Sequence, residues 1–125
     1  MHIPALIGIV FFFLSCESDD VKFVRKKIEN KDIVITWYYH SFITNNSPDY
    51  VVLERDGVTN EIYKAERVIT DVALSKNNII LRLVKPSLGV VYTEKIQDSI
   101  LGYKIIVDTT DNIESLRFIP DGIKE

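Results

Sequence analysis

Side chains that could take part in catalysis are scarce in this 125-residue chain. It has two histidines, His2 and His40, and a single cysteine, Cys16. His2 precedes an apolar segment that we expect to be removed, which leaves His40 as the one imidazole for proton transfer near neutral pH. The sequence contains no histidine pair, cysteine cluster or HExxH spacing. It therefore predicts no metal, no cofactor and no enzymatic activity.

Cys16 directly follows an apolar run. Residues 3–14 (IPALIGIVFFFL) carry no charge, and they are too few to span a bilayer as a helix, which needs about 20 residues. Their length is typical of the hydrophobic region of a signal peptide. With Ser15 as a small residue before the thiol, the segment resembles the lipobox of bacterial lipoproteins. That resemblance implies cleavage between Ser15 and Cys16 and lipidation of Cys16; the alternative is a small buried cysteine.

An acidic run follows the cysteine at once and consists of Glu17, Ser18, Asp19 and Asp20. It resembles the export signal of surface-exposed lipoproteins in the Bacteroidetes phylum. The resemblance implies a protein on the outer face of the outer membrane. The alternatives are a solvated acidic tether and a position on the periplasmic face.

Length and charge limit the remaining possibilities. A chain of 125 residues supports one domain, and a net charge of -3 argues against nucleic acid as a partner. We expect a signal peptide over residues 1–15, a lipidated tether over 16–31 and a single β domain over 32–125. The tether carries a basic cluster that either contacts anionic head groups or forms a lysine-protected strand edge, namely Lys22, Arg25, Lys26, Lys27 and Lys31.

Beyond Val21 the sequence alternates with a period of two and is rich in β-branched and aromatic residues. This pattern predicts a mainly β fold, either an antiparallel β-sandwich or a small barrel of seven to nine short strands. Asp56-Gly57 marks a two-residue hairpin turn. Residues 93–101 are the one expected short helix, with Gly102 after its end, and residues 113–119 are expected to be the last edge strand.

Residues 32–44 form the longest strand pattern and contain the one candidate ligand platform. The platform candidates are Tyr38, His40 and Phe42, which share one face of the strand, and Trp37, which lies on the other face. Exposed aromatic groups of this kind bind sugars or partner proteins. Trp37 also aligns with Ile33 and Ile35, which favours a place in the core and makes Tyr38 and His40 the better platform candidates.

These observations predict a lipid-anchored, non-enzymatic binding or accessory module of the outer membrane. Its lipid on Cys16 would insert in the membrane, and its partner would be an envelope protein or a glycan. One alternative is an inhibitor or immunity lipoprotein that neutralises a toxin or hydrolase, using a protruding loop such as residues 45–49. The third is a small glycan-active hydrolase, because paired carboxylates come together only in space.

Overall fold

The computed structural model describes residues 21–41, 46–66, 68–85 and 98–125. Cys16, its neighbours Ser15 and Glu17 to Asp20, Phe42 and most of the predicted helix at 93–101 lie outside the described residues. The described chain forms nine strands: β1 (Val21–Glu29), β2 (Val34–Ser41), β3 (Asp49–Arg55), β4 (Val58–Ala65), β5 (Ile69–Ser75), β6 (Asn78–Val84), β7 (Ser99–Ile100), β8 (Tyr103–Thr110) and β9 (Ile123–Lys124).

The strands form two sheets that enclose a common core. One sheet has the order β4-β3-β2-β1-β9 and the other has the order β5-β6-β8-β7. Alternate residues of both sheets point inward, as the pleat requires, and include Trp37, Val51, Leu53, Ile79 and Leu81. The fold is therefore a β-sandwich, as the sequence predicted, and not a closed barrel.

One pair of strands departs from the antiparallel prediction. β6 and β8 run parallel, with Asn78 opposite Lys104 and Val84 opposite Thr110. Alternating hydrophobicity reports which face of a strand is buried but not its direction, so the sequence could not show this. A parallel pair requires a long crossover connection, and residues 85–102 supply it.

Two of the hairpin turns contain a glycine with positive φ. Asp56 and Gly57 both have positive φ (51° and 79°) between β3 and β4, as expected for a two-residue turn of this sequence. Leu101 and Gly102 also have positive φ, 51° and 84°, and join β7 to β8. Gly102 therefore closes a hairpin, and the prediction that it follows a helix is wrong.

The predicted last strand is a helix instead. Ile113–Phe118 forms a 3₁₀ helix, and the backbone N–H of Glu114 donates to the side chain of its N-cap Asn112. Asparagine is common in turns, but its carboxamide satisfies a helix N-terminus equally well, as it does here. The final strand is the two-residue β9, which pairs with Phe23 and Val24 of β1.

The β domain begins earlier than expected. β1 occupies Val21–Glu29 and lies between β2 and β9, within the segment assigned to the tether. The predicted boundary at residue 32 is therefore wrong, and the stretch between Cys16 and the first strand is only a few residues long. Charge density misled the prediction, because the lysines of β1 resemble those of a linker.

Gly122 allows the C-terminal segment to lie against β1 and β2. A Cβ atom at this position would stand 2.5 Å from Cβ of Phe23 and 2.6 Å from Cε1 of Tyr39. Phe23 and Tyr39 are themselves stacked, with ring centroids 5.4 Å apart. Neither atom can move without disturbing that packing.

Replacing Gly122 by alanine should lower the free energy of unfolding by about 1–3 kcal/mol, the usual cost of overpacking. Urea denaturation of the purified protein measures the difference. Ile123→Ala is the matched control, because Ile123 is 76% exposed, and it should change stability by at most about 0.5 kcal/mol. Equal effects of the two substitutions would contradict the close approach at Gly122.

Candidate functional site

The outer face of the five-stranded sheet carries a row of aromatic side chains. Tyr38 on β2 is paired directly with Tyr50 on β3, and their rings stack with centroids 5.4 Å apart and planes 22° apart. His40 lies on the same face two residues beyond Tyr38. Its ring meets those of Tyr38 and Tyr50 edge-on at 5.4 and 6.1 Å. We call Tyr38, His40 and Tyr50 the outer aromatic row.

A lysine ammonium group lies over a tyrosine ring at each end of the Tyr38–Tyr50 stack. Lys22 Nζ on β1 lies 4.3 Å from the centroid of the Tyr38 ring. Lys64 Nζ on β4 lies 5.6 Å from that of Tyr50, and Lys64 is the direct cross-strand partner of Tyr50. Ammonium groups over aromatic faces are attracted by the ring quadrupole. The ring faces are thus occupied, which leaves ring edges and phenol groups for a ligand.

Partial burial raises the pKa of the Tyr38 phenol. Desolvation raises the pKa of Tyr38 above the ordinary tyrosine value, and the nearby Tyr50 and Glu61 raise it further. At physiological pH the phenol therefore acts as a neutral hydrogen-bond donor and acceptor. This suits Tyr38 to recognition through hydrogen bonds.

Trp37 does not belong to the platform. It lies on the opposite face of β2 from Tyr38 and His40, is fully buried, and its indole Nε1 donates to Oδ2 of Asp49 at 2.9 Å. Its inclusion among the platform residues is therefore wrong, because the strand alternation turns it into the core. Tyr38 and His40 do share the outer face, and Phe42 lies outside the described residues.

Asp49 is the centre of a buried polar network. Its carboxylate is 2% exposed and also accepts from the Arg25 guanidinium, Nε to Oδ2 at 2.9 Å and Nη2 to Oδ1 at 3.3 Å. The Nη1 group of Arg25 donates to the carbonyl oxygen of Pro120 at 2.8 Å. The guanidinium also lies 4.2 Å from the centroid of the Tyr39 ring. The network connects β1, β2, β3 and the C-terminal segment.

A β-bulge directs Arg25 inward. The pairing of β1 with β2 passes from Val24 opposite Tyr38 to Lys26 opposite Trp37, so Arg25 is an extra residue in β1. Such bulges re-aim a side chain. Lys26 follows Arg25 inward and bonds Oδ1 of Asp71 on the other sheet at 2.9 Å.

The predicted basic cluster is largely neutralised within the domain. Each of its first four members has an acidic partner: Lys22 with Glu125 at 3.2 Å, Arg25 with Asp49, Lys26 with Asp71, and Lys27 with Glu29 at 3.7 Å. Cations paired in this way attract anionic head groups less than free ones do. This arrangement favours a structural role for the cluster within β1, although β1 lies between β2 and β9 and is not the edge strand of its sheet.

The sequence pattern does not predict the positions of three residues in these sites, namely Tyr50, Asp49 and Arg25. The sequence does contain a signal for Tyr50, because it lies near the start of the strand that precedes the Asp56-Gly57 turn. Asp49 is predicted only as the last residue of the protruding loop at residues 45–49. Arg25 is predicted only as a member of the basic cluster, because its inward position depends on the bulge.

Removing the Asp49 carboxylate should strongly destabilise the protein. Asp49→Ala leaves Arg25 largely buried with no counter-charge, and breaking a buried ion pair in this way costs about 3–5 kcal/mol. Asp71→Ala is the matched control. Asp71, like Asp49, forms ion pairs, in its case with Lys26 and Arg82, but it is partly exposed. This substitution should cost about 1 kcal/mol or less. Chemical denaturation compares them, and similar losses would contradict the central role of Asp49.

Within the described ranges, no group of three or more His, Cys, Asp or Glu side chains could hold a metal ion. Among the residues whose structure is described, no helix is long and apolar enough to cross a membrane. No protein-family model, curated protein or solved structure matches the chain significantly.

Proposed function

We propose that this protein is a lipid-anchored lipoprotein of the bacterial outer membrane that acts as a non-enzymatic binding or accessory module. The apolar run at residues 3–14, followed by Ser15 and Cys16, supports a signal peptide and a lipid anchor. The run Glu17-Ser18-Asp19-Asp20 supports export to the cell surface. Four residues separate Cys16 from Val21, the start of β1, so the five Cα–Cα steps between them extend over at most about 18 Å. The anchored domain would lie close to the bilayer.

The outer aromatic row is the observation that carries the binding function. Tyrosines contribute large contact areas at a small cost in conformational entropy, and their hydroxyls supply hydrogen bonds. Because the faces of Tyr38 and Tyr50 are covered by each other and by Lys22 and Lys64, they are poorly placed to stack on a sugar ring. We therefore propose that the row binds an envelope protein, with acidic side chains of that partner near Lys22 and Lys64.

An inhibitor or immunity lipoprotein would be one form of such a module. The sequence predicts that such an inhibitor uses a protruding loop at residues 45–49. In its described part, residues 46–49, this loop is bound to β2 or buried. Asn46 forms a bridge with Ser41, the Ser47 N–H donates to the His40 carbonyl at 2.8 Å, and Asp49 is buried. The expectation of a protruding loop is wrong for Asn46 to Asp49, so an inhibitor would use the outer aromatic row.

Cys16→Ser should abolish membrane anchoring. An acyl chain contributes about 0.8 kcal/mol for each buried CH₂ group, and serine cannot form the thioether that carries the lipid. The wild-type protein is expected in the membrane fraction with incorporated labelled fatty acid, and the variant in the soluble fraction without it. Ser18→Ala, two residues away, is the control and should behave like wild type. Unchanged fractionation and labelling of Cys16→Ser would contradict the anchor.

Surface export has a separate readout. Protease added to intact cells should degrade the wild-type protein, and replacing Glu17, Ser18, Asp19 and Asp20 by alanine should protect it. Degradation of both forms would show that the acidic run is not the export signal.

The double substitution Tyr38→Ala/Tyr50→Ala should reduce capture of the envelope partner at least about tenfold, because loss of a central aromatic contact costs about 2 kcal/mol. Crosslinking on intact cells, followed by purification of the full-length protein, measures the captured amount. The control is Thr36→Ala on β2 combined with Thr59→Ala on β4. It should leave capture unchanged. Equal capture by wild type and the tyrosine variant would exclude the row as the contact surface.

A further inference from the structure

A cavity of about 430 Å³ lies beside the buried network. Its size is in the lower part of the range for small-molecule sites. Polar groups come from the middle of β1, from the start of β3, from the segment before β3 and from the segment before β9. They are those of Arg25, Asn46, Ser47, Asp49 and Asp121. The cavity is distinct from the outer aromatic row, because Arg25 and Asp49 belong to the network on the inner side of the sheet.

The charges of the cavity disfavour an anion. Arg25 and Asp49 neutralise each other at 2.9 Å. Asp121 adds a carboxylate that forms no ion pair within the described residues. The cavity therefore carries about one negative charge, which repels carboxylates and phosphates.

Hydrogen-bonding groups of both kinds remain for a ligand. Arg25 has five N–H donors, and three of them are used, two by Asp49 and one by the Pro120 carbonyl. The Asn46 carboxamide can donate and accept, and the Asp121 carboxylate accepts. A neutral ligand with several hydroxyl groups matches this set, since each hydroxyl both donates and accepts.

The remaining walls are apolar. Leu116 and Ile119 line them, and aliphatic groups of this kind pack against the C–H surface of a sugar. Tyr39 also lines the cavity, but its ring already stacks on Phe23 and lies 4.2 Å from the Arg25 guanidinium. A lining that combines polar and apolar groups suits a ligand with both hydroxyls and C–H surface.

We propose that this cavity binds one sugar unit of a neutral glycan. Arg25, held by Asp49, would donate to a sugar oxygen, and Asp121 would accept from a hydroxyl at the mouth of the cavity. This site is independent of the lipid anchor and of the outer aromatic row.

The protein contains its own reporter. Trp37 is the only tryptophan in the chain, and its indole N–H bonds the carboxylate of Asp49, which lines the cavity. A ligand that contacts Asp49 or Arg25 changes the surroundings of the indole. Intrinsic fluorescence therefore detects occupancy even though Trp37 is buried.

The test titrates the full-length Cys16→Ser protein with maltotriose, cellotriose, mannotriose and chitotriose while tryptophan emission and heat of binding are recorded. At least one trisaccharide should give a saturable change in both signals. Trigalacturonic acid should bind at least tenfold more weakly than that sugar, because Asp121 repels its carboxylates. Absence of binding across the panel, or tighter binding of the acidic sugar, would overturn the proposal.

Asp121→Ala locates the site. It removes an exposed acceptor at the cavity mouth and should weaken the active sugar at least tenfold, with the thermal unfolding midpoint unchanged. Asp108→Ala on β8 is the matched control, an exposed carboxylate outside the cavity lining, and should leave affinity unchanged. Equal affinities of the two variants would place sugar binding elsewhere and overturn the assignment. Neither result bears on Cys16 or on the tyrosine row.

Discussion

The ion pair between Arg25 and Asp49 is the contact on which the five-stranded sheet depends. Both charges are largely removed from water, and their desolvation is offset because Asp49 accepts from both Arg25 and the Trp37 indole. Arg25 in turn donates to the Pro120 carbonyl. Any shift of β1 relative to β3 would separate the charges, so the pair selects one register and one path for the C-terminal segment.

The bulge in β1 makes this arrangement compatible with a normal sheet face. A regular strand would place Arg25 on the face opposite Lys26, but the extra residue sends both inward. One then joins Asp49 within its own sheet, and the other reaches Asp71 on the second sheet. A local irregularity of one residue thus connects both sheets of the sandwich. The same strand keeps Lys22 and Val24 outside, where they extend the outer aromatic row.

Local patterns predicted the parts of the fold that depend on near neighbours. The alternation of Ile33, Ile35 and Trp37 identified a buried face, and Asp56-Gly57 marked a turn whose geometry few other residues adopt. The parallel pairing of β6 with β8 and the bulge at Arg25 depend on segments distant in the chain. Asp49 illustrates the same limit at the site: its burial requires a guanidinium 24 positions away and an indole 12 positions away, and short-range periodicity contains neither.

Both candidate binding surfaces lie at one end of the same sheet. β1 begins with Val21 opposite Ser41, and Lys22 opposite His40 begins the surface that continues through Tyr38 and Tyr50. The cavity opens at this end too, because Asn46 bridges to Ser41 and Asp49 starts β3. With the anchor proposed at Cys16, the short tether would hold this end of the sheet toward the bilayer. A partner for either surface would then have to reach close to the membrane, which would favour membrane-proximal proteins and surface glycans over ligands that extend far from the cell.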